Sequence, residues 1–208
     1  MGRQVEVLNK DFPYEELYSI MRAAFQERVD QGLDFRHTRF SIEDLKKDLR
    51  NKVVIVARQL DGGENRIVGF QKISYSRDCL YAGLIAVSPE CKRAGIGTML
   101  FKKSKELAVD HGCKYMLAET SAKATSSVNW HLKNGYKKIC FYSASNNNYY
   151  SYLFRNQLTF HPLWSSTLYC NFRFYLSMLW CRLNYTEDGK LRFPTLMKPY
   201  FKLRGAIR

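Results

Sequence analysis

The chain has 208 residues, of which 46% are hydrophobic and 14% aromatic; this excludes general disorder and leaves room for one substantial domain plus an extension. Thirty-three Lys/Arg against 19 Asp/Glu give a formal charge of +14, so an anionic partner is expected: a phosphorylated cofactor, nucleic acid or an acidic membrane surface. Six cysteines without a CxxC pair and four scattered histidines exclude a zinc-ligand spacing, and no uncharged apolar run approaches the roughly 18 residues that span a bilayer. No secretory signal opens the chain, so the thiols are expected to be reduced and mostly buried in a cytoplasmic protein. Glu6 stands where N-myristoylation wants Ser or Thr.

QVEVL (4–8) predicts a first strand. Leu17, Ile20, Met21, Ala24 and Phe25 then recur at helical spacing, with Pro13 in the first turn. SIEDLKKDL begins a second helix, where Ser41 and Asp44 make a capping-box pattern. The β-branched runs VVIVARQ (53–59) and IVGFQKISYS (67–76) flank DGGENR as a hairpin, and CLYAGLIAV (79–87) is a further strand. A helix carrying Leu100, Phe101, Leu107 and Ala108 stops near His111-Gly112. KYMLAET (114–120) reads as a strand, VNWHLKN (128–134) as a helix, YKKICFYS (136–143) as a strand, and YYSYLFRNQL, after the polar turn ASNNN, as the last strand. The order βααβββαβαββ is a mixed α/β arrangement without an internal repeat.

From Thr159 the character changes. Residues 155–208 hold nine Lys/Arg and two acids, a net of +7, so half the charge lies in about a quarter of the chain. Leu168, Phe172, Tyr175, Leu176, Leu179 and Leu183 follow the spacing of an amphipathic helix, with Arg173 and Arg182 elsewhere on its surface. This basic aromatic extension either docks its apolar stripe on the domain or touches an anionic membrane. No nucleic-acid reader motif accompanies it.

CKRAGIG (91–97) joins the strand at 79–87 to the helix that follows. A strand-to-helix turn presents N–H groups with no partner in the helix, at the positive end of its dipole. Gly95 and Gly97 permit close approach, and Lys92 and Arg93 add charge. Such a turn also serves as a tight connection and nothing more. A Walker loop is excluded because Thr98-Met99 follow Gly97, and the dinucleotide fingerprint is excluded because Leu100 occupies its third glycine position, although Glu119 mimics its ribose-binding acid.

The strand ending LIAVSP, the loop KRAGIG, a helix, the strand YMLAET and a helix ending WHLKNGY together resemble the GCN5-related N-acetyltransferase (GNAT) superfamily over residues 4–158. Lys92-Arg93-Ala94-Gly95-Ile96-Gly97 is similar to its Gln/Arg-x-x-Gly-x-Gly/Ala loop, with Lys in place of Gln/Arg. His131-Leu132-Lys133-Asn134-Gly135-Tyr136 is similar to its Tyr-x-Lys-x-Gly-Phe ending. The resemblance implies a mostly antiparallel central sheet flanked by helices in residues 1–158, with 159–208 as the extension. It implies acetyl-CoA as co-substrate: backbone of Ile85, Ala86 and Val87 along the pantetheine arm, and amides of Arg93, Ala94, Gly95, Ile96, Gly97 and Thr98 on the pyrophosphate.

Transfer to an amine needs a neutral amine, a polarised carbonyl and a proton for the leaving thiolate. His131 stands where the family has its thiolate-protonating Tyr; it acts as an acid or only packs against Trp130 and the cofactor. Ala124 stands where a helix Asn is common, and Asn129 lies on another face. Glu119 is the best-placed carboxylate for a base, or else a helix cap or salt-bridge partner. Tyr75 and Tyr81 line the acceptor cleft or serve as strand packing. Cys91 adjoins the pyrophosphate end, so transfer is expected to be direct. The expected reaction acetylates a primary amine of a small acceptor, an amino sugar being the first expectation. The alternatives are a longer acyl donor used on a membrane-associated amine, and a non-catalytic acyl-CoA-binding module.

Overall fold

The computed structural model describes residues 2–8, 11–33, 36–61, 64–143, 149–186 and 192. The tip of the DGGENR hairpin, the ASNNN turn and the segment broken by Gly189, Pro194 and Pro199 lie outside them, Arg192 apart. Seven strands form one sheet: β1 (Gly2–Leu8), β2 (Val53–Asp61), β3 (Glu64–Ser76), β4 (Cys79–Val87), β5 (Tyr115–Ser121), β6 (Lys137–Ser143) and β7 (Tyr150–Gln157). Their order is β1-β2-β3-β4-β5-β7-β6. Only β4 and β5 run parallel, and parallel neighbours need a crossover, which the helix between them supplies.

The helices divide between the two faces. α1 (Tyr14–Asp30) and α2 (Ile42–Leu49) cover one face, burying Leu17, Ile20, Met21, Leu45 and Leu49 against Val54, Val56 and Phe70. α3 (Ile96–Asp110) and α4 (Thr125–Lys133) cover the other, where Leu100, Phe101 and Val128 meet Ile55, Ala57 and Leu80. Alternation along β2 sends Val54 and Val56 one way and Ile55 and Ala57 the other. Each fully buried Leu, Ile or Phe contributes about 1.5–3 kcal/mol, and this two-faced burial holds the sheet between its layers.

Local signals set the helix ends. Ser41 Oγ accepts from the Asp44 N–H and Asp44 returns a bond to the Ser41 N–H, so the capping box forms at the start of α2. Pro13 is the residue before α1 rather than part of its first turn. α3 is capped by His111, followed by Gly112 at φ 68°. α4 begins three residues before the expected start, because the polar Thr125-Ser126-Ser127 turn carries no apolar periodicity.

Gly69 on β3 is a packing point. A Cβ there would lie 3.0 Å from the Ala86 carbonyl oxygen and 3.0 Å from Ile96 Cγ2. Replacing Gly69 with Ala is therefore expected to cost about 1–3 kcal/mol, read as a lowered melting temperature in thermal denaturation.

The extension folds as expected in period but not in face. α5 (Thr167–Asn184) packs on β6 through Cys170, Phe174 and Cys181; Ser177 Oγ accepts from the Phe141 N–H at 2.7 Å. The stripe Leu168, Phe172, Tyr175, Leu176, Leu179 and Leu183 lies on the opposite side and is 55–82% exposed. The expectation that the helix docks through its apolar stripe therefore fails. β6 offers a backbone N–H and Phe141, which suit Ser177 and the small thiols better than a row of leucines. The segment before α5 is anchored too, with the Arg155 guanidinium between the Tyr115 ring (3.5 Å) and the Trp164 ring (4.4 Å). The six cysteines are free, and all but Cys140 are buried.

Candidate active site

β4 and β5 pair from Cys79–Tyr115 through Ala82–Ala118 and then separate. On its other edge, β4 places Gly83 and Leu84 opposite the single residue Lys72, where the ladder with β3 shifts register. A bulge of this kind bends its strand, and the bend opens a V between β4 and β5. The strands are close there: a Cβ on Gly83 would lie 3.1 Å from Lys72 Cε and 3.3 Å from the Lys72 carbonyl oxygen. Beyond the bulge, Ile85, Ala86 and Val87 keep β3 on one side and face no strand on the other.

The V leads to the start of α3. Pro89–Cys91 forms a short 3-10 turn; Arg93 then takes φ 64° and Gly95, capping α3, takes φ 82°. Left-handed backbone costs a residue such as Arg about 1–2 kcal/mol, and glycine avoids that cost. The first helical bond runs from the Met99 N–H to the Gly95 carbonyl at 3.0 Å, so the N–H groups of Ile96, Gly97 and Thr98 have no acceptor within the helix. Gly97 keeps this entrance open, its Cβ position lying 3.7 Å from Trp130 Nε1. The Ala94 carbonyl is held by Arg3 Nη1 at 2.7 Å. Lys92 pairs with Glu27 of α1 at 2.7 Å, so its charge serves the α1 contact rather than an open seat.

A cleft of about 370 Å³ follows the V. Of the sequence-derived candidates, Ile85, Tyr81, Glu119 and His131 line it together. Glu119, on β5 just past the divergence, accepts from the Tyr81 hydroxyl at 3.2 Å, and its charge also acts on the Tyr142 phenol. Burial raises the pKa of both phenols, and the Glu119 charge raises it further.

His131 is buried, with its ring stacked on Phe154 at 4.8 Å and edge-on to Trp130 at 5.0 Å. Its Nδ1 lies 2.7 Å from the Ser127 carbonyl oxygen. A carbonyl only accepts, so Nδ1 carries the proton and Nε2 presents a lone pair. Burial lowers the His131 pKa, and the nearby Arg28 charge lowers it further. The Ser127 bond works the other way, but the net direction is downward, which favours the neutral ring and weakens His131 as a proton source for a thiolate. Tyr75 stands apart from the cleft: its ring stacks on His111 at 3.9 Å beside α3. Cys91 is buried and directed at Gln59 Oε1, 3.7 Å away.

Several lining residues were not assigned to the cleft by the sequence, Tyr136 among them although it ends the family-like pattern. Tyr136, Tyr149 and the cations Arg28, Arg36 and Lys72 reach the cleft from a strand entrance, a loop end, a helix end, a turn and the bulge. Arg28 reads in sequence as a basic residue complementing the end of α1; Lys72 reads as one polar position in a strand. Among the described residues, no cluster of three His, Cys, Asp or Glu could hold a metal, and no helix is long and apolar enough to cross a membrane.

The comparisons with known proteins agree with this geometry. No curated protein matches the chain. Among solved structures, the ribosomal-protein-S18-alanine N-acetyltransferase of Escherichia coli aligns with a TM-score of 0.61 at 13% identity, covering 77% of this chain and 96% of that one. An N-acetyltransferase from Staphylococcus aureus Mu50 aligns at 0.59 and 14%, covering 76% and 100%. PaiA N-acetyltransferase from Thermoplasma acidophilum, in complex with coenzyme A, aligns at 0.58 and 12%, covering 74% and 99%. At these identities the likeness is one of fold. The sequence profile described as the Acetyltransferase (GNAT) family matches residues 14–136; from that match, the chain belongs to the GNAT acetyltransferase family.

Proposed function

We propose that this protein acetylates a primary amine of a small acceptor, with acetyl-CoA as co-substrate and direct transfer. The observation that carries this reading is the V between β4 and β5 opening onto the N-terminus of α3. The free edge of Ile85, Ala86 and Val87 receives an extended amide-bearing arm as an added strand would be received. The amides at the start of α3, Ile96 to Thr98, receive a pyrophosphate, with those of Arg93 and Gly95 beside them; the Ala94 N–H is turned to the Cys91 carbonyl at 3.3 Å. Bound acetyl-CoA supplies the acyl group and leaves as a thiol.

The chain's own residues handle the protons. Glu119 takes one from the acceptor ammonium, leaving a neutral amine to attack. Glu119 gives that proton up to water. As the carbon–sulfur bond breaks it takes the second proton, from the nitrogen that has attacked, while Tyr81, hydrogen-bonded to Glu119, gives its own proton to the departing sulfur and regains one from the carboxyl. His131 packs against Trp130 in the wall of the cleft, with Nε2 left as an acceptor. Incubation of the full chain with acetyl-CoA and a panel of amines tests this: amine-dependent thiol release supports it, and acetyl-CoA binding without turnover on any amine favours a silent acyl-CoA-binding module.

A second reading, an acceptor presented at an anionic membrane surface, is favoured by the outer stripe of α5. Residues 159–186 contain no acid, and Arg173 and Arg182 are both exposed. Such a helix face suits anionic lipid, whereas a second copy would bring arginines against arginines. The full chain is expected to pellet with phosphatidylserine-containing vesicles at low salt and to be released by salt, with Leu176→Asp/Leu179→Asp abolishing pelleting. Lack of pelleting, or a dimer that the same substitutions dissociate, sinks this reading.

A further inference from the structure

A second pocket, of about 270 Å³, lies between β6, β7 and the segment that leads into α5. Lys137, Arg155, Gln157, Trp164 and Ser165 are among the residues that line it, and it shares none with the cleft. Strand register sets its place. Gln157 pairs with Tyr115, four residues before Glu119, or about 13 Å along an extended strand. The pocket is therefore at the end of the sheet away from the cleft.

Lys137 and Arg155 stand directly opposite each other in the antiparallel ladder of β6 and β7, so both side chains leave the same face of the sheet. Like charges in that arrangement destabilise a sheet. A third cation joins them. The Arg155 and Arg173 guanidiniums both lie over the Trp164 ring, at 4.4 and 4.9 Å, which holds them within about 10 Å, a Debye length at 0.1 M salt. All three charges reach the buried Cys170 thiol, where they oppose the upward shift that burial causes.

Neutral groups, not acids, engage these cations. Lys137 Nζ donates to the Ser165 carbonyl, and Arg155 Nε donates to Gln157 Oε1 at 2.8 Å. The groups that act on the Arg155 charge are a phenol and two thiols, and burial lowers its pKa. The chain has no Asp or Glu from Thr120 to Thr186, so β6, β7 and α5 carry no carboxylate. Asp78, before the neighbouring β4, is paired with Lys114 at 3.1 Å. Aromatic rings offset guanidinium charge in part, but they offer nothing to the two Lys137 N–H groups left after Ser165.

We propose that this pocket binds a phosphate group, held by Lys137 and Arg155 beside Trp164, with Arg173 completing the charge. A phosphomonoester brings about −1.5 to −2 charges and three strong acceptor oxygens, which matches three cations better than a single carboxylate does. It removes the repulsion across the β6–β7 ladder and restores the charged state of Arg155. The bearer is a free phosphorylated molecule or a lipid headgroup, and its binding is separate from the transfer of an acetyl group.

The test is calorimetric titration of the full chain, saturated with CoA to fill the seat at α3, with inorganic phosphate and with glycerol 3-phosphate. Dissociation constants below about 1 mM are expected. Lys137→Gln should weaken them about tenfold and Arg173→Gln at least about threefold, with the affinity for acetyl-CoA unchanged. Arg173 is exposed, so its replacement spares the fold and decides the matter should Lys137→Gln unfold. Flotation with phosphatidylcholine vesicles containing phosphatidic acid, or phosphatidylserine at matched surface charge, identifies the bearer. A preference for phosphatidic acid that the same variants abolish assigns a lipid headgroup; binding of glycerol 3-phosphate without that preference assigns a free molecule. No binding of any phosphate-bearing probe, or wild-type affinity in both variants, overturns the site. Loss of acetyl-CoA affinity in either variant also overturns it, because the cations then serve the coenzyme. A wild type that fails to bind CoA sinks the acetyl-transfer reading instead, and the two variants still decide this pocket.

Discussion

Gly97→Glu is expected to weaken acetyl-CoA binding by about a hundredfold or more, which is about 2.7 kcal/mol, while leaving the protein folded. Position 97 lies within the first turn of α3, among N–H groups that have no helical acceptor. A carboxylate there competes for those donors and repels the coenzyme's phosphates at the distance where Coulomb terms are largest. The substitution does not strain the backbone: Gly97 is not among the glycines with positive φ, and helix propensity favours Glu over Gly. Gly97→Ala separates charge from bulk. Its methyl meets Trp130 at ordinary contact distance, so a loss of a few-fold is expected, against the much larger loss for Glu. Calorimetric titration of the three proteins, with thermal denaturation alongside, measures both quantities. If Gly97→Glu binds acetyl-CoA as the wild type does, the CKRAGIG turn is only a connection.

Which of these features the sequence displays follows from the range of the signal. The 79–87 strand, the loop and the start of α3 are legible because turn residues, β-branched runs and glycine spacing act within a few residues. The insertion of β7 between β5 and β6 is not legible, since either strand could lie beside β5 on pattern alone. α5 shows the same limit more sharply. Its periodicity is plain, yet the helix is apolar on two opposite sides, and the larger stripe is the exposed one. Hydrophobic period gives the helix but cannot say which face finds a partner.

The site divides in the same way. Glu119 and Tyr81 belong to strands whose family pattern places them near the transfer point, and the structure brings them within hydrogen-bond distance. His131 occupies a family position too, but its protonation depends on the Ser127 carbonyl and on burial against Phe154, which only the folded chain creates. The cations Arg28, Arg36 and Lys72 reach the cleft from elements separated by tens of residues in sequence. Their chemistry is tertiary.

Glu119→Gln is expected to lower kcat about 10²–10³-fold at neutral pH, the range for loss of a positioned base. The amide keeps the shape of the side chain and still accepts from Tyr81 through its oxygen, so the cleft and acetyl-CoA affinity should be preserved. The pH profile distinguishes a base from a mere anchor. An amine acceptor is mostly ammonium at neutral pH and must lose a proton before it attacks. As pH rises toward the amine's own pKa, near 10 for an alkylamine such as lysine, the free base accumulates without help. The deficit of Glu119→Gln should therefore shrink steadily with rising pH. A purely positioning carboxylate predicts a deficit of constant size across the profile. Initial rates from pH 6.5 to 9.5 with one saturating acceptor separate the two. A constant deficit would move the base to another group.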